Sequence, residues 1–94
     1  MSTYNGWTNY ETWRINLEAV GDMTLGDFGF DVEDLDNGFA ELWQVSKAIE
    51  EFVEEMVLGS VPEGIAYSLA ADFLNRVDWE EIAEHIIADA KAEV

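Results

Sequence analysis

The chain has 94 residues and a mass of 10.6 kDa, the size of one domain, and its 21 Asp and Glu against 4 Lys and Arg give a formal charge of −17 and a pI near 4.1. That balance argues against direct nucleic-acid binding or attachment to an anionic membrane, both of which need a basic surface. A hydrophobic content of 49%, four tryptophans and the absence of cysteine exclude a disordered acidic tail, a disulfide scaffold and a thiolate nucleophile.

The first predicted helix covers residues 9–20. Thr8 and Glu11 have the spacing of a capping box, Tyr10, Trp13, Leu17 and Val20 share one stripe, and Gly21 is placed to end it. From Gly21 to Gly38, four glycines and scattered aspartates predict a long loop with one short extended piece at Phe28–Val32. Asp27, Asp31, Glu33, Asp34 and Asp36 lie in it with no base among them. A second and longest helix is expected from Phe39 to Leu58. Its predicted buried stripe is Phe39, Leu42, Trp43, Ser46, Ile49, Phe52, Val53, Met56 and Val57, and Gly59 stops it. Ser60-Val61-Pro62-Glu63 repeats the capping-box spacing ahead of a third helix over Val61–Arg76 that buries Ile65, Leu69, Phe73 and Leu74. Asp78 caps a fourth helix, with Val77 and Ile82 as a hydrophobic staple, Trp79, Ile82, Ala83, Ile86 and Ala90 inward, and a tail that frays after Asp89. The expected fold is a single all-α domain over 1–94: four helices, with a long acidic loop between the first and second.

Few residues are equipped for catalysis. The one histidine, His85, has Glu81 and Asp89 a turn away on either side. A single imidazole with two carboxylates is a poor metal site, and a solvated histidine among acids is the plainer reading. The loop aspartates do not fit the EF-hand spacing from Asp27, Asp31 or Asp34, which leaves only a looser calcium site. Paired carboxylates for glycoside hydrolysis need a pocket that so short a helical chain has little room for. The sequence is therefore read as non-enzymatic, with no cofactor and no metal. Trp13, Trp43 and Trp79 read as core residues, whereas Trp7, in a Tyr-Asn-Gly-Trp turn, either closes the core or faces a partner.

The acids themselves are the strongest feature. Glu50, Glu51, Glu54 and Glu55 place four charges along about 7.5 Å of helix axis, one about every 2.5 Å, of the same order as the charge per about 1.7 Å of duplex DNA. Like charges one turn apart cost a helix a few tenths of a kcal/mol each, so folding alone does not call for them. Asp78, Glu80, Glu81 and Glu84 form a second cluster. Solubility accounts for acids on a surface, but a surface kept polar only for solubility mixes both signs.

Gly6-Trp7-Thr8-Asn9-Tyr10-Glu11-Thr12-Trp13, followed by Ile15-Asn16-Leu17, resembles the opening motif of a largely uncharacterised family of small phage, plasmid and mobile-element proteins. Val77-Asp78-Trp79-Glu80-Glu81-Ile82-Ala83-Glu84-His85 is similar to that family's second signature, while the part from Gly21 to Gly59 departs from it. The resemblance implies a mobile-element origin and packing of the two signatures on each other, and it carries no catalytic residue. In size and charge the chain is also similar in kind to acidic DNA-mimicking anti-CRISPR and anti-restriction inhibitors. The expectation is thus a cytoplasmic inhibitor, foremost an anti-CRISPR protein. It would meet a basic nucleic-acid-binding surface with Glu50, Glu51, Glu54, Glu55, Asp31, Glu33, Asp34 and Asp36, anchored by Trp7 or a loop phenylalanine. An anti-restriction mimic and a non-mimic interaction module acting through apolar contacts, monomeric or homodimeric, stand as alternatives. A calcium-dependent or hydrolytic protein is the weakest.

Overall fold

The computed structural model describes residues 4–92. Helix α1 (Tyr10–Ile15) runs on as a π-helical turn, Asn16–Val20. A 3₁₀ turn, Leu25–Phe28, and a short helix α2, Val32–Asp36, follow. The long helices are α3 (Leu42–Leu58), α4 (Ile65–Asn75) and α5 (Trp79–Ala92). No strand forms among the described residues, and the domain is all-α. Its core is the seam between α3 and α5, where Val45, Ile49 and Val53 at four-residue spacing meet Ile82, Ala83 and Ile86. Val20, Leu25 and Leu74 close its ends. Each fully buried aliphatic side chain contributes about 1.5–3 kcal/mol, so this seam carries most of the apolar stabilisation.

Several expectations need correction. Asn9, not Thr8, caps α1: its side-chain oxygen accepts the Thr12 N–H at 2.9 Å, while the Thr8 N–H donates to Glu81 Oε1 at 3.0 Å. The π turn adds a residue to its helical turn, so Val20 lies over Ile15 and is buried, whereas Leu17 is turned to solvent. The expected extended piece at Phe28–Val32 is absent, and two caps organise the loop instead. Thr24 and Asp27 form a capping box on the 3₁₀ turn, and Asp31 Oδ1 accepts the Asp34 N–H at 2.9 Å to start α2. Helix α3 begins at Leu42 rather than Phe39, because Glu41 caps it and the Glu41 N–H donates to Gln44 Oε1 at 2.8 Å.

The buried stripes also shift. Phe39 is 80% exposed and Trp43 59%, and Phe52 and Met56 are exposed as well; Val45 faces the core in their place. Ser60 does not cap α4. Its hydroxyl donates to the Met56 carbonyl at 2.7 Å and closes α3. Helix α4 is delayed to Ile65 by Gly64, whose φ of 129° is open to glycine and to few other residues. Of its predicted core residues Leu74 is buried and Phe73 half-buried, while Ile65 (80%) and Leu69 (65%) stand in solvent. Asp78 caps α5 as expected, accepting the Glu81 N–H at 3.1 Å, and Val77 and Ile82 are both in the core. The C-terminal tail remains helical through Ala92, and Lys91 pairs with Asp36 at 3.6 Å.

Candidate functional site

The α3 glutamates form one flank. At about 100° per residue, Glu50, Glu54, Glu51 and Glu55 occupy an arc of roughly 140°, opposite the side buried by Val45, Ser46, Ile49 and Val53. Glu51 and Glu55 are exposed; Glu50 and Glu54 are half-buried. Burial pushes the Glu54 carboxyl above the ordinary carboxylate range, and the neighbouring Glu50 charge adds to the effect. The nearest cation, Lys47, is 4.0 Å from Glu50 Oε1. The row 43, 47, 50, 54, at three- and four-residue steps, brings Trp43 to the same flank. Its indole N–H donates to Glu41 Oε2 at 2.7 Å, which fixes the ring while leaving most of it in solvent.

That crowding has a testable sign. Because the folded-state value of Glu54 is raised, folding disfavours its ionised form, and only between the unfolded and folded values does the folded protein hold a proton there that the unfolded chain has released. This destabilising contribution is present at neutral pH and is relieved as pH falls through the raised value. Glu54→Gln removes repulsions worth about 0.2–0.5 kcal/mol per neighbouring pair and should raise Tm at neutral pH by roughly 1–4 °C. Thermal melts of both proteins from neutral to mildly acidic pH should converge on acidification. A variant no more stable than wild type at neutral pH would show that the charges do not strain the helix.

The loop acids gather elsewhere. Asp31, Glu33 and Asp36 join Asp22 and Asp89 around an open hollow of about 1140 Å³ between the loop and the end of α5, over a floor of Leu25, Phe30 and Ile86. Asp34 lies outside this rim, and no α3 residue lines it. The eight predicted acids therefore do not form one surface: four lie on α3, three rim the hollow and Asp34 belongs to neither, and Asp31 is engaged in capping α2. Among the described residues, no group of three His, Asp or Glu lies close enough to share a metal ion.

The two signature segments lock together. Asn9 Nδ2 donates to the Arg76 carbonyl at 2.7 Å, and the Asp78 N–H donates to Thr12 Oγ1 at 2.8 Å. Trp7 stacks on His85 with ring centroids 4.1 Å apart. The Asn5-Gly6 turn aims it there, both residues having positive φ as a type I′ turn requires, with Tyr4 and Trp7 exchanging backbone bonds of 2.7 and 2.8 Å. Trp7 is thus half-buried within the fold, while Phe39 and Trp43, which the sequence reading had placed on a buried stripe, are the most exposed aromatic rings, and Trp43 is the one that shares the flank of the α3 glutamates. A hint was present: Trp43 falls in the same row as Lys47, Glu50 and Glu54.

All four basic side chains are ion-paired: Arg14 with Glu18, Lys47 with Glu50, Arg76 with Glu11 and Asp72, and Lys91 with Asp36. The other described carboxylates have no lysine or arginine partner. No helix among the described residues is long and apolar enough to cross a membrane. No curated protein and no solved structure matches the chain. Residues 1–93 match one family model, and on that near-complete match the chain belongs to the family of unknown function DUF7249.

Proposed function

We propose that this chain is a phage or mobile-element inhibitor of a host defence nuclease system, foremost an anti-CRISPR protein, acting in the host cytoplasm. It occupies a basic nucleic-acid-binding surface, with the α3 carboxylates standing in for phosphates. The observation that carries this reading is the α3 flank of Glu50, Glu51, Glu54 and Glu55, four carboxylates against the single cation Lys47, in a protein whose few cations are all paired. Charge spacing along α3 of the same order as that of duplex DNA supports it, because a groove built for phosphates reads density and sign before it reads shape. Trp43 supplies the large exposed ring that such a charged contact needs to fix orientation. The acid-rimmed hollow is a second patch that extends the field and speeds encounter.

The immobilised protein, incubated with lysate from a bacterium carrying CRISPR and restriction systems, should retain a nucleic-acid-binding protein at low salt. Duplex DNA should displace it, and a rising salt gradient should elute it. Retention that neither duplex DNA nor salt disturbs would overturn the mimicry reading.

A further inference from the structure

Two Asn-Gly pairs occur in the chain, Asn5-Gly6 and Asn37-Gly38. This dipeptide exposes the asparagine side chain to attack by the following backbone nitrogen, because glycine has no side chain to obstruct the approach. The two pairs stand in different surroundings. Asn5 and Gly6 form the exposed tip of the turn that carries Trp7, and a side chain on Gly6 would meet nothing within 4 Å. The backbone bonds of that turn run between Tyr4 and Trp7, so the Gly6 N–H has no backbone acceptor among the described residues. Asn37 instead ends α2, where its N–H donates to the Glu33 carbonyl at 2.9 Å and the Gly38 N–H donates to the Leu35 carbonyl at 3.4 Å. Charge separates the pairs as well. The attacking species is the deprotonated glycine nitrogen, an anion, and like charges nearby disfavour forming it. No charged side chain precedes Glu11 in the sequence, whereas Asp31, Glu33, Asp34 and Asp36 lie just ahead of Asn37.

The geometry points to Asn5 as a self-modification site, where spontaneous deamidation releases Trp7 from α5. The Gly6 nitrogen gives its proton to solvent hydroxide and forms a bond to Asn5 Cγ. The bond from Cγ to Nδ2 breaks, and the nitrogen takes up a proton from water and leaves as ammonia. A five-membered succinimide remains. Water then opens it at one of two carbonyls, so that overall one water is consumed and one ammonia released, with no change of oxidation state. Cleavage at Cγ gives aspartate, which tolerates the positive φ of this position, 48°, and keeps the turn. Cleavage at the main-chain carbonyl gives isoaspartate, which routes the backbone through Cβ. A two-residue loop lengthened by one backbone atom no longer closes both Tyr4–Trp7 bonds, of 2.7 and 2.8 Å. Trp7 then leaves the His85 ring on which it stacks at 4.1 Å. The Asn9 cap lies beyond the altered link, so α1 keeps its start and the release is confined to the turn. None of this depends on the acidic flank.

The full-length chain, held for days at mildly alkaline pH and physiological temperature, is then cleaved after its basic residues and mapped by mass spectrometry. Cuts at Arg14 and Lys47 place Asn5 and Asn37 on different peptides. Asn5 should convert several-fold faster than Asn37, giving aspartate together with isoaspartate, the latter detected by enzymatic methylation. His85 is the only histidine, so its ring C–H signals in NMR spectra, shifted by the Trp7 ring current, report the stack directly. They should move toward free-histidine positions in proportion to the isoaspartate formed. Freshly purified Asn5→Asp should keep the wild-type signals. Conversion at Asn37 as fast as at Asn5 overturns the site, and so does an Asn5 that keeps its amide while the urea-unfolded chain loses it. His85 signals that ignore isoaspartate, or that shift as far in Asn5→Asp, overturn the release.

Discussion

Replacing Glu50, Glu51, Glu54 and Glu55 together by lysine should abolish interference with the host defence system while the protein still melts in one cooperative step. Each substitution turns an attraction toward a basic groove into a repulsion. Like charges forced together at an interface cost several kcal/mol, so affinity should fall by about 10³-fold or more. The fold should tolerate the change. The four positions lie on the solvent flank in the second half of α3, where lysine suits the negative end of the helix dipole and the existing side chains repel one another. Glu80→Lys with Glu84→Lys serves as the control, placing charge on exposed positions of α5 away from the flank. That pair should weaken inhibition less than about tenfold, by slowing encounter rather than by breaking contacts. Trp43→Ala should cost about tenfold or more if the ring is the orienting anchor. Plasmid or phage survival in cells carrying the targeted system is the readout. Unchanged inhibition by the lysine quartet rejects the flank, and an equal loss in both sets reduces the mechanism to net charge.

How far the fold could be read from the sequence depended on how local its causes were. The ends at Val20, Leu58 and the start of α5 are set by neighbouring glycine or aspartate, and these boundaries agree with the structure. Periodicity misled where apolar residues outnumber the core positions available. In α3 nine residues fit a buried stripe, but a single neighbouring seam with α5 takes only Val45, Ser46, Ile49 and Val53 fully. Helix α4 reads as a core helix and is one only at Leu74, because what its other apolar residues need to pack against is not supplied by this chain. The π turn at Asn16–Val20 carries no composition signal, and it moves Leu17 outward. The loop caps were legible and missed: Thr24 with Asp27 and Asp31 with Asp34 have the same three-residue spacing that predicts α-helix starts elsewhere. Acids taken together as one binding surface thus include some that hold the loop in shape.

The packing of the two signatures rests on Asn9, and Asn9→Ala should cost about 2–3 kcal/mol, lowering Tm by roughly 10–20 °C. Its Oδ1 accepts both the Thr12 N–H at 2.9 Å and the Thr12 hydroxyl at 2.6 Å, and its amide donates to the Arg76 carbonyl. Loss of the cap contributes about 1 kcal/mol. The remainder comes from Thr12, which is fully buried and whose hydroxyl would keep its acceptor role toward Asp78 while losing its own acceptor. Thr12→Val, which removes that hydroxyl at nearly constant volume, should cost about 1–3 kcal/mol by orphaning the Asp78 N–H. Because both changes dismantle one network, the double variant should be less destabilised than the sum, by about 0.5 kcal/mol or more. Asn9→Asp separates the two functions of the side chain. It keeps the cap, gains from the helix dipole, and places a carboxylate against the Arg76 carbonyl in place of a donor. An Asp variant as stable as wild type would mean that the bond between the signatures adds nothing beyond the cap. Chemical denaturation of wild type and the four variants measures all of this, and a cost below about 0.5 kcal/mol for Asn9→Ala would remove the network from the account of stability. None of these positions touches the α3 flank, so below their melting temperatures the variants should inhibit as well as wild type, which separates the residues that hold this fold from those that meet its partner.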